Sequence, residues 1–217
     1  MNNYNAFIFD FDFTLADAAK GIVESANFAV EKLGLQPISS GEIRKTIGMS
    51  LKGAFSALTG ITDSKQTADF LKYFHQKADE VMTENTALFP DTISTLEKIK
   101  ARNSITGIVS NKFSFRIRDA LEKHGILHLI DYIVGTENVK EPKPSPEGLL
   151  KAMDALSCLP ERALYIGDSL ADAKTAQNAG VDFAAVTTGT TSRKELEIYP
   201  NIMITESLDI LFGRLFS

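Results

Sequence analysis

The spacing of apolar positions changes twice along the chain. The stretch Ala6-Phe7-Ile8-Phe9 is apolar without interruption, as expected for a strand that is buried on both faces of a sheet. From residue 16 to about residue 88 the apolar positions recur every three or four residues, which predicts helices with no strand between them. After Phe89 short apolar runs alternate with segments of helical period to the end of the chain.

This order of elements predicts an α/β fold. Helices are predicted after the first strand at 17–34, around 51–58 and at 63–84, then at 91–102, 113–124, 145–156, 169–179 and 206–214, with strands at 104–110, 132–135, 163–167, 182–187 and 201–204. Strands that alternate with helices join by right-handed crossovers, so we expect a doubly wound parallel sheet. The predicted core domain is residues 1–15 and 89–217, and residues 16–88 form an inserted helical domain.

Composition and charge narrow the choice of partners. The 217 residues are 44% hydrophobic and 24% charged, and the net charge is −5, which is typical of a globular protein. The acidic balance disfavours nucleic acid and membrane surfaces as partners, because both require clustered Lys and Arg. Cys158 is the only cysteine, which excludes a disulfide framework and a cysteine metal site. The sequence shows no membrane-spanning run and no signal-peptide pattern, so we expect a cytoplasmic protein. Its oligomeric state is left open between monomer and homodimer.

Polar residues stand where the predicted strands end. They are Asp10, Asp12 and Thr14 after the first strand, Ser110, Asn111 and Lys112 after the second, Lys143 after the third, and Asp168 with Asp172 after the fourth. Ligands of open α/β sheets bind outside the carboxyl ends of the strands. Two carboxylates as close as Asp10 and Asp12 repel each other, and a hard cation such as Mg2+ offsets that repulsion. We therefore expect a metal and phosphate site at this edge.

These residues also have simpler local explanations. The aspartate pair of the first strand can occupy an exposed turn, since loops favour Asp. Asp168 and Asp172 can cap a helix as acids in its first turn. Ser110 can be an N-cap serine, and Lys143 can be a solvated charge. The site is favoured over these explanations because the residues all stand at strand ends.

Four short motifs occur in a fixed order along the chain. They are Asp10-Phe11-Asp12-Phe13-Thr14-Leu15, Val109-Ser110-Asn111-Lys112, Lys143-Pro144-Ser145-Pro146, and Ile166-Gly167-Asp168-Ser169 with Asp172. Together they resemble the motifs of the haloacid dehalogenase-like hydrolase superfamily, and the chain is most similar to its phosphoglycolate phosphatase branch. Residues 16–88 resemble the helical type 1 cap of that superfamily.

The resemblance implies a role for each carboxylate. Asp10 is implied to be the nucleophile that forms an aspartyl-phosphate, and Asp12 the general acid and base. Mg2+ is implied between a carboxylate oxygen of Asp10, the main-chain carbonyl of Asp12 and the carboxylate of Asp168. Asp172 is implied to support the metal without binding it directly.

The resemblance also implies the contacts of the substrate. Thr14, Ser110, Asn111 and Lys143 are implied to bind the phosphoryl group, and Lys143 is also counted as catalytic. The amides that follow Ser110 would bind the same anion if a helix starts there. The inserted domain is implied to select the substrate and to close over the site.

Two features leave the substrate open. Phe13 stands where this family usually has Gly, so the turn must place a bulky residue in an allowed conformation, and the ring is expected near the mouth of the site. In the inserted domain, Arg44, Lys45 and Lys52 are candidates to contact the leaving group, although each is also explained as a solvated charge.

The favoured function is a Mg-dependent phosphatase acting on a small phosphorylated metabolite, such as a phosphoglycolate-like ester, a sugar phosphate or pyrophosphate. A β-phosphoglucomutase-like phosphotransferase is the first alternative, but such relatives carry a His early in the cap and residues 17–31 contain none. A dehalogenase is disfavoured, because those relatives lack the aspartate at the position of Asp12. The third alternative is a catalytically weak protein that binds a phosphorylated ligand, and Phe13 is its only support.

Overall fold

The structure, a computed structural model, describes residues 4–217. It divides into two compact units, one joining the chain up to Ala16 to Leu88–Ser217 and the other comprising Asp17–Ala87. The predicted borders, after residue 15 and after residue 88, each lie one residue away from these. Residues 4–217 contain no helix with the length and hydropathy of a transmembrane segment.

The larger unit is built on a parallel sheet. The strands of the described chain are β1 (Ala6–Phe9), β2 (Ala16–Asp17), β3 (Ala87–Leu88), β4 (Ile105–Val109), β5 (Tyr132–Val134), β6 (Ala163–Gly167), β7 (Asp182–Val186) and β8 (Met203–Thr205). Six of them form one sheet in the order β5-β4-β1-β6-β7-β8, and every neighbouring pair is parallel. This arrangement confirms the predicted α/β fold.

The strand order explains where the site lies. The chain adds β4 and β5 on one side of β1 and then returns to place β6 on the other side. Connections therefore leave in opposite directions on the two sides of β1, and such a switch point opens a crevice at the carboxyl ends of the strands. Asp10 follows β1 directly, so it stands at this crevice.

The smaller unit contains four helices in the described chain: α1 (Ala19–Lys32), α2 (Ser40–Arg44), α3 (Leu51–Thr59) and α4 (Ser64–Val81). Its core is apolar, with the rings of Phe55 and Phe70 stacked at a centroid distance of 4.4 Å. Ser39, Ser50 and Asp63 cap α2, α3 and α4 with their side chains, which satisfies backbone donors at the helix starts.

The sheet of the larger unit is covered on both faces. Its helices are α5 (Thr92–Lys100), α6 (Ser114–Lys123), α7 (Glu147–Ala155), α8 (Leu170–Ala179), α9 (Arg193–Leu196) and α10 (Leu208–Leu215). Alternate residues of β1 point to opposite faces, as the pleat of a strand requires. Phe7 and Phe9 join a cluster with residues of α5, α6 and α10, and Ile8 joins a second cluster with residues of α7, α8 and α9.

The prediction missed several short elements of the described chain, among them two strands and one helix. Residues 16–88 were expected to lack strands, but β2 and β3 at their two ends pair in a separate two-stranded sheet. Strands of two residues are too short to produce a periodic pattern. The four-residue helix α9 was also missed, although Ser192 and Glu195 form a capping box at its start, a signal that is visible in the sequence.

Candidate active site

The catalytic candidates of the first motif begin where β1 ends. Asp10 is 1% exposed, and its amide donates to the carbonyl of Ile166 on β6 at 2.8 Å. Its Oδ1 accepts hydrogen bonds from the amide of Phe11 at 2.7 Å and from Lys143 Nζ at 2.9 Å. Its Oδ2 is buried with no hydrogen-bond partner in the described chain. A buried carboxylate oxygen that accepts no hydrogen bond can bind a cation, which would compensate the unfavourable burial.

Asp168 and Asp172 lie beside Asp10. One carboxylate oxygen from each of the three residues lies within 4.8 Å of the others, and all three residues are buried. Oxygen ligands of this kind suit a hard divalent cation. The donor set, together with the bare Oδ2 of Asp10, fits the expected metal.

Lys143 supplies positive charge to this cluster. Its Nζ lies 2.9 Å from Asp10 Oδ1 and 2.6 Å from Asp172 Oδ1, and the lysine side chain is 3% exposed. It also donates to the hydroxyl of Tyr165 at 3.1 Å. The simpler explanation of Lys143 as a solvated charge is therefore wrong.

Burial is the largest influence on the pKa values of the cluster. Burial raises the pKa of Asp10 to about 6, although the ammonium of Lys143 opposes the shift. Burial and the neighbouring charges of Asp172 and Asp10 raise the pKa of Asp168 well above its usual value. Burial acts to lower the pKa of Lys143, but Asp10 and Asp172 outweigh it and keep the ammonium charged. A bound cation would oppose the two upward carboxylate shifts.

Asp172 forms the contacts expected of a helix cap and further contacts besides them. It does cap α8, because its Oδ2 accepts from the amide of Ser169 at 3.0 Å and from the hydroxyl at 2.6 Å. Its Oδ1 lies 3.0 Å from the hydroxyl of Tyr165, which was not predicted to belong to the site. The signal for Tyr165 was a single hydroxyl within the otherwise apolar strand β6. Since both oxygens are engaged, Asp172 is placed to orient Lys143.

Asn111 and Ser110 are arranged differently from the prediction. Both ends of the Asn111 amide bond the main chain of Lys143, at 2.9 Å to its nitrogen and 3.2 Å to its oxygen. Asn111 therefore holds the Lys143 loop. Ser110 is not an N-cap, because α6 begins at Ser114 and Phe113 precedes it. Asn111 and Lys112 lie in the loop before α6, so their amides do not start a helix. The expectation that Ser110 and Asn111 bind the phosphoryl group stays a prediction.

Asp12 pairs with a lysine whose side chain was not singled out. Lys112 Nζ lies 3.0 Å from Oδ1 and 2.9 Å from Oδ2 of Asp12. The two side chains are 6% and 11% exposed. Asp12 is therefore not in an exposed turn, and the bidentate pair orients its carboxylate.

The turn after Asp12 depends on Phe13 and on the loop after β7. Phe13 adopts a φ of 61°, in the left-handed region, and its side chain is buried, with 1% of the residue exposed. This conformation costs a residue with a Cβ about 1–2 kcal/mol. Thr188 donates a hydrogen bond to the carbonyl of Phe13 and holds it there. Thr14 lies beside the cluster, with its hydroxyl 3.4 Å from Asp168 Oδ1.

Gly189 is a further residue of the site that the sequence did not indicate. A Cβ built on it would lie 1.8 Å from Asp168 Oδ2 and 2.7 Å from Asp168 Cγ. The carboxylate of Asp168 can occupy its position only because residue 189 has no side chain. Loop glycines are common, so the sequence alone offered no means of distinguishing this one.

The charged candidates of the smaller unit have ordinary surroundings. Arg44 forms an ion pair with Asp17 at 3.6 Å, with both side chains about 40% exposed. Lys45 and Lys52 are exposed. The expectation that these residues contact a leaving group stays a prediction.

Three comparisons relate the chain to known proteins. A family model for haloacid dehalogenase-like hydrolases matches residues 7–186. The pyrophosphatase PpaX of Bacillus velezensis is 28% identical over 207 residues, which cover 95% of this chain and 94% of the relative. The phosphoglycolate phosphatase of Aquifex aeolicus is 30% identical over 177 residues, which cover 82% of each chain. A crystal structure from Bacteroides fragilis, described as haloacid dehalogenase-like, has a TM-score of 0.93 and 45% identity, covering 96% of this chain and 99% of that one.

Proposed function

Since the chain belongs to the haloacid dehalogenase-like hydrolase family and is a phosphatase, we propose that it hydrolyses a small phosphorylated metabolite through an aspartyl-phosphate on Asp10. The observation that carries this proposal is the carboxylate of Asp10. One oxygen is fixed by Lys143 and a backbone amide, and the other is bare. The contacts of the fixed oxygen set the orientation of the whole carboxylate, and a nucleophile needs a fixed orientation for attack.

The first step transfers the phosphoryl group to the protein. An oxygen of Asp10 forms a bond to phosphorus as the bond between phosphorus and the leaving oxygen breaks. Asp12 gives a proton to the leaving oxygen as that bond breaks. A general acid is needed here because an alkoxide is a poor leaving group. The ammonium of Lys143 balances part of the charge of the phosphoryl group.

The second step releases inorganic phosphate. Asp12 is now a carboxylate, and it accepts a proton from water as the water oxygen attacks phosphorus. The bond between phosphorus and Asp10 breaks, which restores the free carboxylate. The same side chain serves in both steps because a group that has donated a proton can accept one. The ion pair with Lys112 keeps the Asp12 carboxyl in position from the first step to the second.

We assign Mg2+ to the carboxylates of Asp10 and Asp168, with the main-chain carbonyl of Asp12 as a third ligand. When bound, the cation supplies positive charge that reduces the repulsion between the Asp10 carboxylate and an anionic phosphate. Asp172 keeps Lys143 and Ser169 in position around these ligands. The three buried carboxylates support this assignment.

Pyrophosphate and phosphoglycolate are the substrates we favour. The supporting observation is the similarity over most of the chain to a relative named for each activity. Both are small compounds with at least two negative charges at neutral pH, and both would need the local positive charge that Lys143 and a metal provide.

Phosphate release from purified protein tests this proposal. Pyrophosphate, 2-phosphoglycolate, sugar phosphates and 4-nitrophenyl phosphate are each incubated with Mg2+ or with a chelator. We expect release that requires Mg2+ with at least one of the first two. Absence of release from every compound would overturn the proposed activity, and equal release with chelator would overturn the metal assignment.

A further inference from the structure

The ion pair between Lys112 and Asp12 bears on substrate choice. Lys112 Nζ contacts both oxygens of Asp12, at 3.0 and 2.9 Å. The lysine side chain is 6% exposed. Burying an ammonium without a partner is unfavourable, and the carboxylate of Asp12 supplies a partner for Lys112.

The place of Asp12 in the reaction determines what lies near Lys112. This step rests on the proposed function, in which Asp12 hands a proton to the leaving oxygen. That oxygen must then lie within hydrogen-bond reach of the Asp12 carboxyl. Because Lys112 contacts both carboxyl oxygens, its ammonium lies within two hydrogen-bond lengths of the leaving oxygen. A negative charge carried by the leaving group close to that oxygen would be beside the ammonium.

The other buried lysine of the site has a different neighbourhood. Lys143 lies between Asp10 and Asp172, so its charge acts on the nucleophile and on the phosphoryl group being transferred. Once Asp12 has given its proton to the leaving oxygen, its carboxylate would repel a leaving group that carries its own negative charge. Lys112 is the cation that the fold places against that carboxylate, and it can offset the repulsion.

We propose that Lys112 determines specificity for phosphate esters and anhydrides whose leaving group is negatively charged next to the scissile oxygen. The class includes diphosphates and phosphorylated 2-hydroxy acids, and excludes esters with a neutral alcohol or phenol as leaving group. The alternative is that Lys112 only positions Asp12. In that case its loss would slow every substrate by the same factor.

The test uses two esters that differ in one charge. 2-Phosphoglycolate and 2-hydroxyethyl phosphate have nearly the same size, but only the first has a charged leaving group. The ratio of their kcat/KM values is measured for the unmodified protein, Lys112→Met, Lys112→Arg and Lys98→Met. Lys98 pairs with Asp209 at 2.7 Å on the exposed surface, so its variant controls for loss of one positive charge.

We expect the unmodified protein and Lys98→Met to favour 2-phosphoglycolate, and Lys112→Met to reduce the ratio by about tenfold. Lys112→Arg should recover most of the preference, because it keeps the charge. An unchanged ratio in Lys112→Met, including an equal loss on both esters, would overturn the inference. Absence of activity toward all phosphate compounds in the unmodified protein would instead refute the proposed function. Turnover of 4-nitrophenyl phosphate by Lys112→Met shows that the variant is folded. If it has none, Lys112→Gln, which also removes the charge, replaces it, and an unchanged ratio in that variant would overturn the inference.

Discussion

The carboxyl edge of the sheet buries charged side chains, whereas the helical unit Asp17–Ala87 keeps them at its surface. At the edge Asp10, Asp168 and Asp172 are at most 3% exposed, and Lys143 is buried among them. The polar side chains buried within the described helical unit are all hydroxyls, those of Ser25, Thr67 and Thr86. Its ion pairs lie at the surface, as between Lys65 and Asp69, whose side chains are 87% and 41% exposed.

Buried carboxylates in this chain are a feature of the candidate site and are not needed for packing a domain core. Burying a carboxylate is unfavourable unless its partners compensate, so folds concentrate such groups where a function needs them. The helical unit shows that this chain packs a domain core without buried charge. The buried cluster at the edge of the sheet is therefore the part of the molecule in which substitutions should have the largest effects.

Replacing Lys143 should have the largest effect on the free energy of unfolding. Lys143→Met leaves the carboxylates of Asp10 and Asp172 without their counter-charge, and we expect unfolding free energy to fall by about 3–5 kcal/mol. Urea denaturation measures the change. Lys98→Met, which breaks an exposed pair, should lose at most about 1 kcal/mol. Similar losses in the two variants would remove the distinction between the two regions.

Metal and pH should act on the same cluster. The pKa of Asp10 is raised from 3.8 to about 6 without a cation, so the folded protein binds this proton more tightly than the unfolded chain. Stability from this group is therefore present at low pH and is lost as pH rises from about 4 to about 6, by roughly 3 kcal/mol. Mg2+ binds the ionised carboxylate of Asp10, so added Mg2+ should restore the stability that is lost as pH rises.

Thermal denaturation with Mg2+ or chelator, at about pH 5 and about pH 7.5, measures this linkage. We expect Mg2+ to raise the melting temperature at both values, and more at the higher one, where the carboxylates would otherwise be charged and unpaired. The absence of any Mg2+ effect at the higher pH would show that the cluster does not hold a metal.

Gly189→Ala should reduce turnover by about a hundredfold, because the added Cβ collides with Asp168. It should also weaken Mg2+ binding, so that activity requires a higher Mg2+ concentration. Steady-state kinetics over a range of Mg2+ concentrations measures both effects. Gly213→Ala is the control, since nothing lies within 4 Å of its Cβ position on α10, and it should leave activity unchanged. Full activity in Gly189→Ala would mean that Asp168 is not needed where the structure places it.

The motifs at the strand ends were predictable, whereas their contacts were not. The apolar run of β1 and the acids behind it indicated both the sheet and its functional edge. The sequence could not show that Asn111 bonds the main chain of Lys143, 32 residues away, because that contact depends on how two loops approach each other. Thr188 and Gly189 were missed for the same reason. Phe13 was noted as unusual, but only the structure gives its left-handed conformation.

The smallest effect is expected in the helical unit. Lys52 is exposed on α3, and Lys52→Met should change unfolding free energy by no more than about 0.5 kcal/mol. Turnover of 4-nitrophenyl phosphate should change less than about twofold, because an exposed charge is screened by solvent. A large loss of turnover on this generic substrate would place Lys52 in the reaction itself and would break the contrast between the regions.

The central claim is that Asp10 carries the phosphoryl group between the two steps. Protein mixed with substrate and Mg2+, quenched in acid within one turnover and digested, is analysed by mass spectrometry. The account predicts one phosphoryl group on the peptide that contains Asp10, and neither the adduct nor phosphate release in Asp10→Asn. An Asp10→Asn protein that releases phosphate at the rate of the unmodified one would contradict the account.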